Sequence, residues 1–301
     1  MVSPELVTSA SNTTLKRLRS LSQKKYRRAE NLFLAEGLRI VTEATEAGWT
    51  PRILVFATAH RDHPLVRRLV QLTLHAGGRA LETTPDILST LSGKDNPQSV
   101  LAAFEPRPLS LADLDPHSAP RWLVAQSLKD PGNLGTMLRT CDATGAGALI
   151  LLDDSADPLS VEAIRASMGA YFTVPCLTTK WPDFLTWLRH TPPAPRSGER
   201  GVEDNAKRQR RLAQRAGVGA SPPSSPTLIG AALDPRARPY THTPYPAPSF
   251  ILMGNEQAGL PADYRDACDY LAAMPMLGKA DSLNVAIAAA VLLYQALAVQ
   301  S

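Results

Sequence analysis

Cysteine is scarce in this chain: there are three, Cys141, Cys176 and Cys268, far apart and with no Cys-x-x-Cys pair among them. That spacing offers neither a disulfide framework nor a zinc site, so no metal is expected and a reducing, cytoplasmic setting fits best. Histidine is also thin, at 6 residues. His60, His63 and His75 fall near the ends of expected elements without ligand spacing, which favours surface or core roles. Long apolar runs are missing too. The most apolar stretch, Val285 to Val299, is 15 residues long with Tyr294 and Gln295 inside it. A bilayer span needs roughly 20, so it reads as a buried helix. No continuous apolar stretch follows the N-terminus, and no secretory signal is expected.

What the chain does carry is unevenly placed charge. The formal net charge is +4, yet residues 1–103 hold 14 Lys/Arg against 9 acids, and residues 191–226 hold 7 against 3. The remainder is therefore acidic. A basic front half suits a part that meets a polyanion, beside a back half that does chemistry, although solvated surface charge gives the same counts. A length of 301 residues accommodates two ordinary domains.

Leu15, Leu18 and Leu21 stand at helical spacing among Lys16, Arg17, Arg19, Lys24, Lys25, Arg27 and Arg28, predicting one basic amphipathic helix. The Ser- and Arg-rich, acid-poor composition of Ser9 to Arg28 would also suit an organellar transit peptide. Beyond it strands and helices alternate. Strands are expected at Phe33–Glu36, Arg52–Ala57, Ala80–Glu82 and Val100–Phe104, with helices over Gly37–Ala47 and Leu65–Ala76, an α/β arrangement. Pro106, Pro108, Pro116 and Pro120 mark residues 105–120 as a linker. A second α/β domain follows over 121–301. Its expected strands are Leu123–Gln126, Ala148–Leu152, Thr173–Leu177, Thr227–Ala231, Phe250–Gly254 and Tyr270–Ala273, with a closing helix from Ser282. Residues 191–226 are dense in Pro, Gly, Ser and Arg, with Lys207, Arg208, Arg210 and Arg211 as a basic run. They predict a flexible insertion, since such a tract buries too little to offset its ordering entropy.

Three stretches put Gly, Asn, Glu and Ser where strands end, which is where open α/β sheets hold ligands. In Asp130-Pro131-Gly132-Asn133-Leu134-Gly135, the Pro-Gly pair forces a turn, Asn133 is the expected helix cap, and Arg139 lies six residues on. In Ile251 to Leu260, an apolar strand runs into Gly254-Asn255-Glu256-Gln257-Ala258-Gly259. A glycine there allows close approach to the backbone. This stretch matches neither the Gly-x-Gly-x-x-Gly dinucleotide fingerprint nor a phosphate loop, which disfavours nicotinamide cofactors and ATP. The third stretch is Met274-Pro275-Met276-Leu277-Gly278 followed by Asp281-Ser282-Leu283-Asn284-Val285, with Ser282 as expected N-cap.

In this order the three resemble the signature of the SpoU/TrmH family of RNA methyltransferases: Asp-Pro-x-Asn-x-Gly with a following Arg, an apolar strand ending Gly-x-Glu-x-x-Gly, and Pro-Met-x-Gly-x-x-x-Ser-Leu-Asn-Val. Arg165-Ala166-Ser167-Met168-Gly169-Ala170 is similar to the family's segment between the first two motifs. Thr8 to Asn12, the basic helix and Phe33-Leu34-Ala35-Glu36-Gly37 resemble the L30e-like substrate-binding domain of rRNA-modifying members, which displaces the transit-peptide reading. The resemblance implies a parallel-sheet methyltransferase domain tied in a deep trefoil knot, behind a smaller L30e-like α/β domain over 1–104. Knots are otherwise nearly absent from proteins.

It implies S-adenosylmethionine as methyl donor, held largely by backbone near Gly254, Met274 and Leu283, with Met253, Pro275, Met276 and Gly278 around it. It assigns the catalytic site to Arg139, Asn133, Glu256, Ser282 and Asn284. It implies a homodimer in which Arg139 of one subunit serves the cofactor of the other, with the apolar final helix as a surface to bury. Asn12, Lys16, Lys24, Lys25, Arg27, Arg28 and Arg39 are the residues expected on RNA. A guanidinium is a poor base, so Arg139 is better suited to binding the target phosphate and orienting the ribose hydroxyl. The substrate expected is ribosomal RNA, with transfer RNA second. The competing class is a dimeric RNA-binding protein without catalysis, and a base methyltransferase is disfavoured by the motifs.

Overall fold

The computed structural model describes residues 3–92, 99–191, 225–279 and 281–300. Residues 192–224, nearly all of the expected insertion with its basic run, lie outside the described residues. The chain forms two compact units, one of Met1–Arg107 with Asp157–Thr173, the other of Pro108–Ala156 with Val174–Ser301.

The first unit is built on strands β1 (Glu5–Val7), β2 (Phe33–Glu36), β3 (Ile53–Ala57), β4 (Arg79–Thr83) and β5 (Val100–Phe104). They lie in the order β1-β4-β3-β5-β2, with β1, β4 and β3 parallel and β5 antiparallel to both β3 and β2. Both faces are covered, which is why β3 and β5 are continuous apolar runs. Phe33, Ala35, Leu54, Phe56, Val100, Ala102 and Phe104 enter one core cluster. Leu34, Ile53, Val55, Leu101 and Ala103 enter the other, with Leu15, Leu18 and Leu21.

The single basic helix is corrected by the structure to two short ones, α1 (Thr13–Ser20) and α2 (Lys24–Glu30). The reason is Arg27. Its guanidinium is 5% exposed and donates to the carbonyls of Leu21 at 2.8 Å and Ser22 at 2.7 Å, groups that a continuous helix would spend internally. Arg27 also pairs with Asp157 at 2.6 Å. A guanidinium buried to 5% exposure, with both Nη groups bonded inside the fold, is no RNA contact, and that expectation for Arg27 is withdrawn. Two further helices, α3 (Leu38–Glu46) and α4 (Pro64–His75), cover the Phe33 face, while α5 (Pro85–Ser92) joins α1 on the other.

Asp157–Thr173, expected to stay with the second domain, completes this first core. Its helix α7 (Val161–Ala166) lies against β2, and Ile164 and Phe172 join the Phe33 cluster. Trp49 Nε1 donates to the Phe172 carbonyl at 3.1 Å, and Arg165 pairs with Glu36.

The second unit holds a seven-stranded, all-parallel sheet. Its strands are β6 (Arg121–Gln126), β7 (Leu149–Leu152), β8 (Cys176–Thr179), β9 (Thr227–Ala231), β10 (Arg238–Pro239), β11 (Ser249–Met253) and β12 (Tyr270–Ala273), in the order β10-β12-β9-β11-β6-β7-β8. Strand β8 begins three residues later than expected because Ala170–Phe172 form a 3-10 turn and Pro175 has no N–H to give a ladder. The expected linker is partly packed, with Leu114 and Pro116 buried and Trp122 Nε1 donating to the Pro116 carbonyl at 3.0 Å.

Helices α6 (Pro131–Thr144), α8 (Trp181–His190) and α9 (Ala262–Ala267) flank this sheet, and α10 (Val285–Gln300) returns to pack against α6, β6 and β11. Trp181 stacks on Tyr264 with ring centroids 4.0 Å apart. At the far end of α10, Gln300 accepts from the buried Arg121 Nε at 3.0 Å and donates to the Tyr245 carbonyl at 2.9 Å. Among the described residues no helix is long and apolar enough to cross a membrane.

Candidate functional site

Parallel strands deliver their carboxyl ends to one edge of a sheet, and here the ends of β6, β9, β11 and β12 carry the loops of interest. The first loop leaves β6 through Ser127, Leu128 and Lys129 into α6. Its cap is Asp130 rather than Asn133: Asp130 Oδ1 accepts from the Asn133 backbone at 2.6 Å, with Pro131 in the first turn. The Asn133 side chain is thereby released for other partners. The third loop shows the same substitution of roles. Asn284, not Ser282, caps α10, its Oδ1 accepting from Ala286 N at 2.9 Å and Ile287 N at 3.2 Å.

The second loop is a tight excursion between Asn255 and Gly259, which bridge through a pair of backbone bonds of 3.2 and 3.0 Å. Asn255 pins it, donating to the Ser127 carbonyl at 2.9 Å and accepting from Gln257 N and Ala258 N. Gly254 is required by the chain itself. A methyl group there would sit 2.5 Å from the Leu260 nitrogen, so the glycine accommodates the returning loop and not a ligand.

These loops converge on one hydrogen-bonded chain. Asn284 Nδ2 donates to Asn133 Oδ1 at 2.9 Å, and Asn133 Nδ2 donates to Glu256 Oε1 at 3.4 Å. The Glu256 carboxylate also accepts from the backbone of Lys129 and Asp130 at 3.4 Å each, at the start of α6, where the helix dipole favours a negative charge. All three motifs are thus joined through side chains.

Beside Glu256 lies a crevice of about 470 Å³, within the usual size of a small-molecule site. Its walls are mostly apolar or backbone: Ala231 to Leu233, Met253 to Leu260, Ala272 to Met274, Met276, and Asp281 to Leu283. Of the residues expected around a cofactor, Met253, Gly254, Met274, Met276 and Leu283 line it, as does Ser282. Pro275 and Gly278 are exposed and do not.

Arg139 is not drawn into this cluster. It is exposed on α6, roughly 9 Å along the axis from Asn133, and makes no hydrogen bond or ion pair with a described residue. Of the remaining residues expected on RNA, Lys16, Lys24, Lys25 and Arg28 are exposed. Arg39 is exposed but paired with Glu43 at 2.8 Å, and the side chain of Asn12 caps α1. On α10 the apolar Ile287 and Tyr294, seven residues apart on one face, and Val299 near its end are all more than half exposed.

Sequence reading missed the wall formed by the loop after β9. There Asp234, 6% exposed, accepts from Arg236 Nε and Arg265 Nη1, both at 3.0 Å. Hydrogen bonds from Arg236 hold the Asp234 carboxyl down at about 2, against a reference of 3.8. A depressed carboxylate stabilises the fold above its unfolded pKa and loses that contribution as pH falls through the folded one. Acid titration should therefore loosen this wall between about pH 4 and pH 2, followed as hydrogen exchange at Leu233–Ala237. Asp234→Asn should remove that transition.

The comparisons agree with this geometry. Residues 12–102 match the model of the MRM3-like substrate binding domain, and residues 120–193 and 223–294 match that of the SpoU rRNA Methylase family. A 23S rRNA (guanosine-2'-O)-methyltransferase of Bacillus subtilis, RlmP, is 29% identical over 96% of this chain and 97% of its own length. The 23S rRNA (guanosine-2'-O-)-methyltransferase RlmB of Bordetella pertussis is 30% identical over 80% of this chain and 86% of its own. Among solved structures, an AdoMet-bound rRNA methyltransferase from Sinorhizobium meliloti superposes with a TM-score of 0.80, at 34% identity over 97% of each chain.

Proposed function

We propose that this chain, which belongs to the SpoU rRNA methylase family, transfers a methyl group from S-adenosylmethionine to a ribose 2'-hydroxyl in ribosomal RNA. The observation that carries the reading is the side-chain link Glu256–Asn133–Asn284, which joins three separated loops at the lip of an apolar crevice. The crevice fits the donor: apolar walls suit an adenine, and the volume is adequate. The relatives, which are rRNA 2'-O-methyltransferases, and an AdoMet-bound structural neighbour support the same conclusion.

The bound donor would supply a methyl group on a sulfonium sulfur, open to attack by a hydroxyl. The protein's own work is positional. Glu256 and Asn133 hold the loop that starts α6 against the crevice, Asn284 fixes the entry to α10, and Ser282 stands at the crevice wall. Alignment and exclusion of water can account for much of the acceleration of such a transfer. Arg139, uncommitted on its helix, is the group for the target phosphate and ribose. The exposed cations Lys16, Lys24, Lys25 and Arg28 supply a salt-sensitive grip on RNA.

The reading carries a homodimer and a cytoplasmic setting with it. Exposed Ile287 and Tyr294, seven residues apart on one face of α10, are costly to leave in water, and α10 packs on the helix that bears Arg139. Ile287→Asp with Tyr294→Asp should give a monomer in sedimentation and lose methyl transfer, while far-ultraviolet dichroism stays native. A monomeric but fully active variant would exclude a shared site. Threading of the chain through a trefoil knot is supported by β11 lying between β9 and β6 and by the return of α10 to β6. The reaction itself is tested by mapping 2'-O-methyl groups in rRNA from cells with and without this chain. One position should lose its mark, and an unchanged map would reject the proposal.

A further inference from the structure

Arg265 stands out among the groups around the crevice. It is the single Lys or Arg among the residues that line it, where Glu256 and Asp281 are the acids. Its guanidinium is partly used. Nη1 reaches Asp234 Oδ2 at 3.0 Å, while Nε is buried and has no acceptor among the described residues. A guanidinium offers five N–H donors in a rigid fork, and a buried donor left unmade is costly. The Arg side chain is also held from behind. Asp234 is clamped by Arg236 through its backbone N at 2.9 Å and through Nε and Nη2, and Arg236 reaches Asp266 at 2.7 Å. Such backing fixes the direction of a fork whose Nη2 makes no hydrogen bond with a described residue.

We propose that Arg265 is a binding residue for the donor's amino-acid tail, taking its α-carboxylate. The inference rests on the cofactor reading of the crevice. The tail is the one part of the donor that carries a negative charge, and an arginine fork matches a carboxylate in geometry as well as sign. Glu256, engaged with the start of α6, leaves Arg265 as the group in the wall with matching charge. The selectivity that follows is against donors or products lacking the tail.

Calorimetry on the full chain with two ligands separates the possibilities: S-adenosylhomocysteine, which has the tail, and 5'-methylthioadenosine, which has the same adenosine thioether without it. Arg265→Gln should weaken the first by about 10- to 100-fold, the range for a charge-assisted hydrogen bond, and leave the second nearly unchanged. Arg265→Lys should recover part of the loss. Asp234 keeps its Arg236 partner in both variants, so the loop remains anchored. Equal weakening of both ligands would reduce Arg265 to a wall-shaping residue and overturn the proposal, as would no change in either. Weaker RNA binding with both small ligands unaffected would assign the guanidinium to a phosphate instead. If the unaltered chain bound neither ligand, the cofactor reading itself would fall, and this inference with it.

Discussion

Arg139→Ala should lower kcat/KM for methyl transfer by about 10²–10³-fold, the usual loss when one pre-aimed donor is removed from a reacting centre. Melting temperature and S-adenosylhomocysteine affinity should not move. The separation follows from where Arg139 sits: exposed on α6, hydrogen-bonded to no described residue, and outside the crevice lining. Nothing in the described fold depends on it, so whatever it contributes must come through a ligand or a second subunit. Single-turnover assays at saturating RNA distinguish orientation, which lowers the rate, from phosphate grip, which raises the half-saturating RNA concentration. An Arg139→Lys enzyme with normal turnover and normal RNA affinity would eliminate both roles. If the site is shared, mixing Arg139→Ala with a chain carrying Gly254→Val should restore activity to the mixture. The added side chain of the latter runs into the Leu260 nitrogen and displaces the Gly254–Gly259 loop that walls that chain's own crevice.

Phe172→Ala should destabilise the first unit by about 3–5 kcal/mol, the range for truncating a buried aromatic. Yet the residue lies 68 positions beyond Phe104, in sequence that otherwise belongs to the second unit. Its ring is 3% exposed, with centroids 5.3 Å from both Trp49 and Phe104 and 6.0 Å from Phe33. The loss should appear as faster hydrogen exchange in β2, β3 and β5. A fragment ending at Arg107 should show the same defect more severely, because it lacks Val161, Ile164 and Phe172 together. A stable, cooperative fragment would show that the first core closes without the Asp157–Thr173 segment.

Much of this was legible in the residues. The bounds of β2, β5, β9 and β12 follow from short apolar runs, since a strand covered on both faces leaves an unbroken hydrophobic signature. The three motifs sit at strand ends, where the chemistry of the sheet puts them. What could not be read depended on partners distant in sequence. Arg27 looks like one more cation until Asp157, 130 residues on, is found against it. The capping roles of Asp130 and Asn284 went to neighbours because Asn, Asp and Ser all cap well. The choice is made by where the helix starts, here at Pro131 and at Val285. Asp234 and Arg265 carry no motif, and only the packing of the β9 loop onto α9 makes them a pair.

The bond between Arg121 and Gln300 sets an order on biogenesis. Strand β6 lies near the middle of the sheet, and its first side chain is a buried cation whose side-chain acceptor is supplied 179 residues later. Until that stretch is made, the guanidinium has the Thr144 carbonyl as its partner but lacks the Gln300 side chain that completes this corner. Contacts of such long sequence separation slow folding. This corner of the second unit is therefore completed only once the chain through Gln300 has been made, and until then its apolar strands are the ones exposed to aggregation.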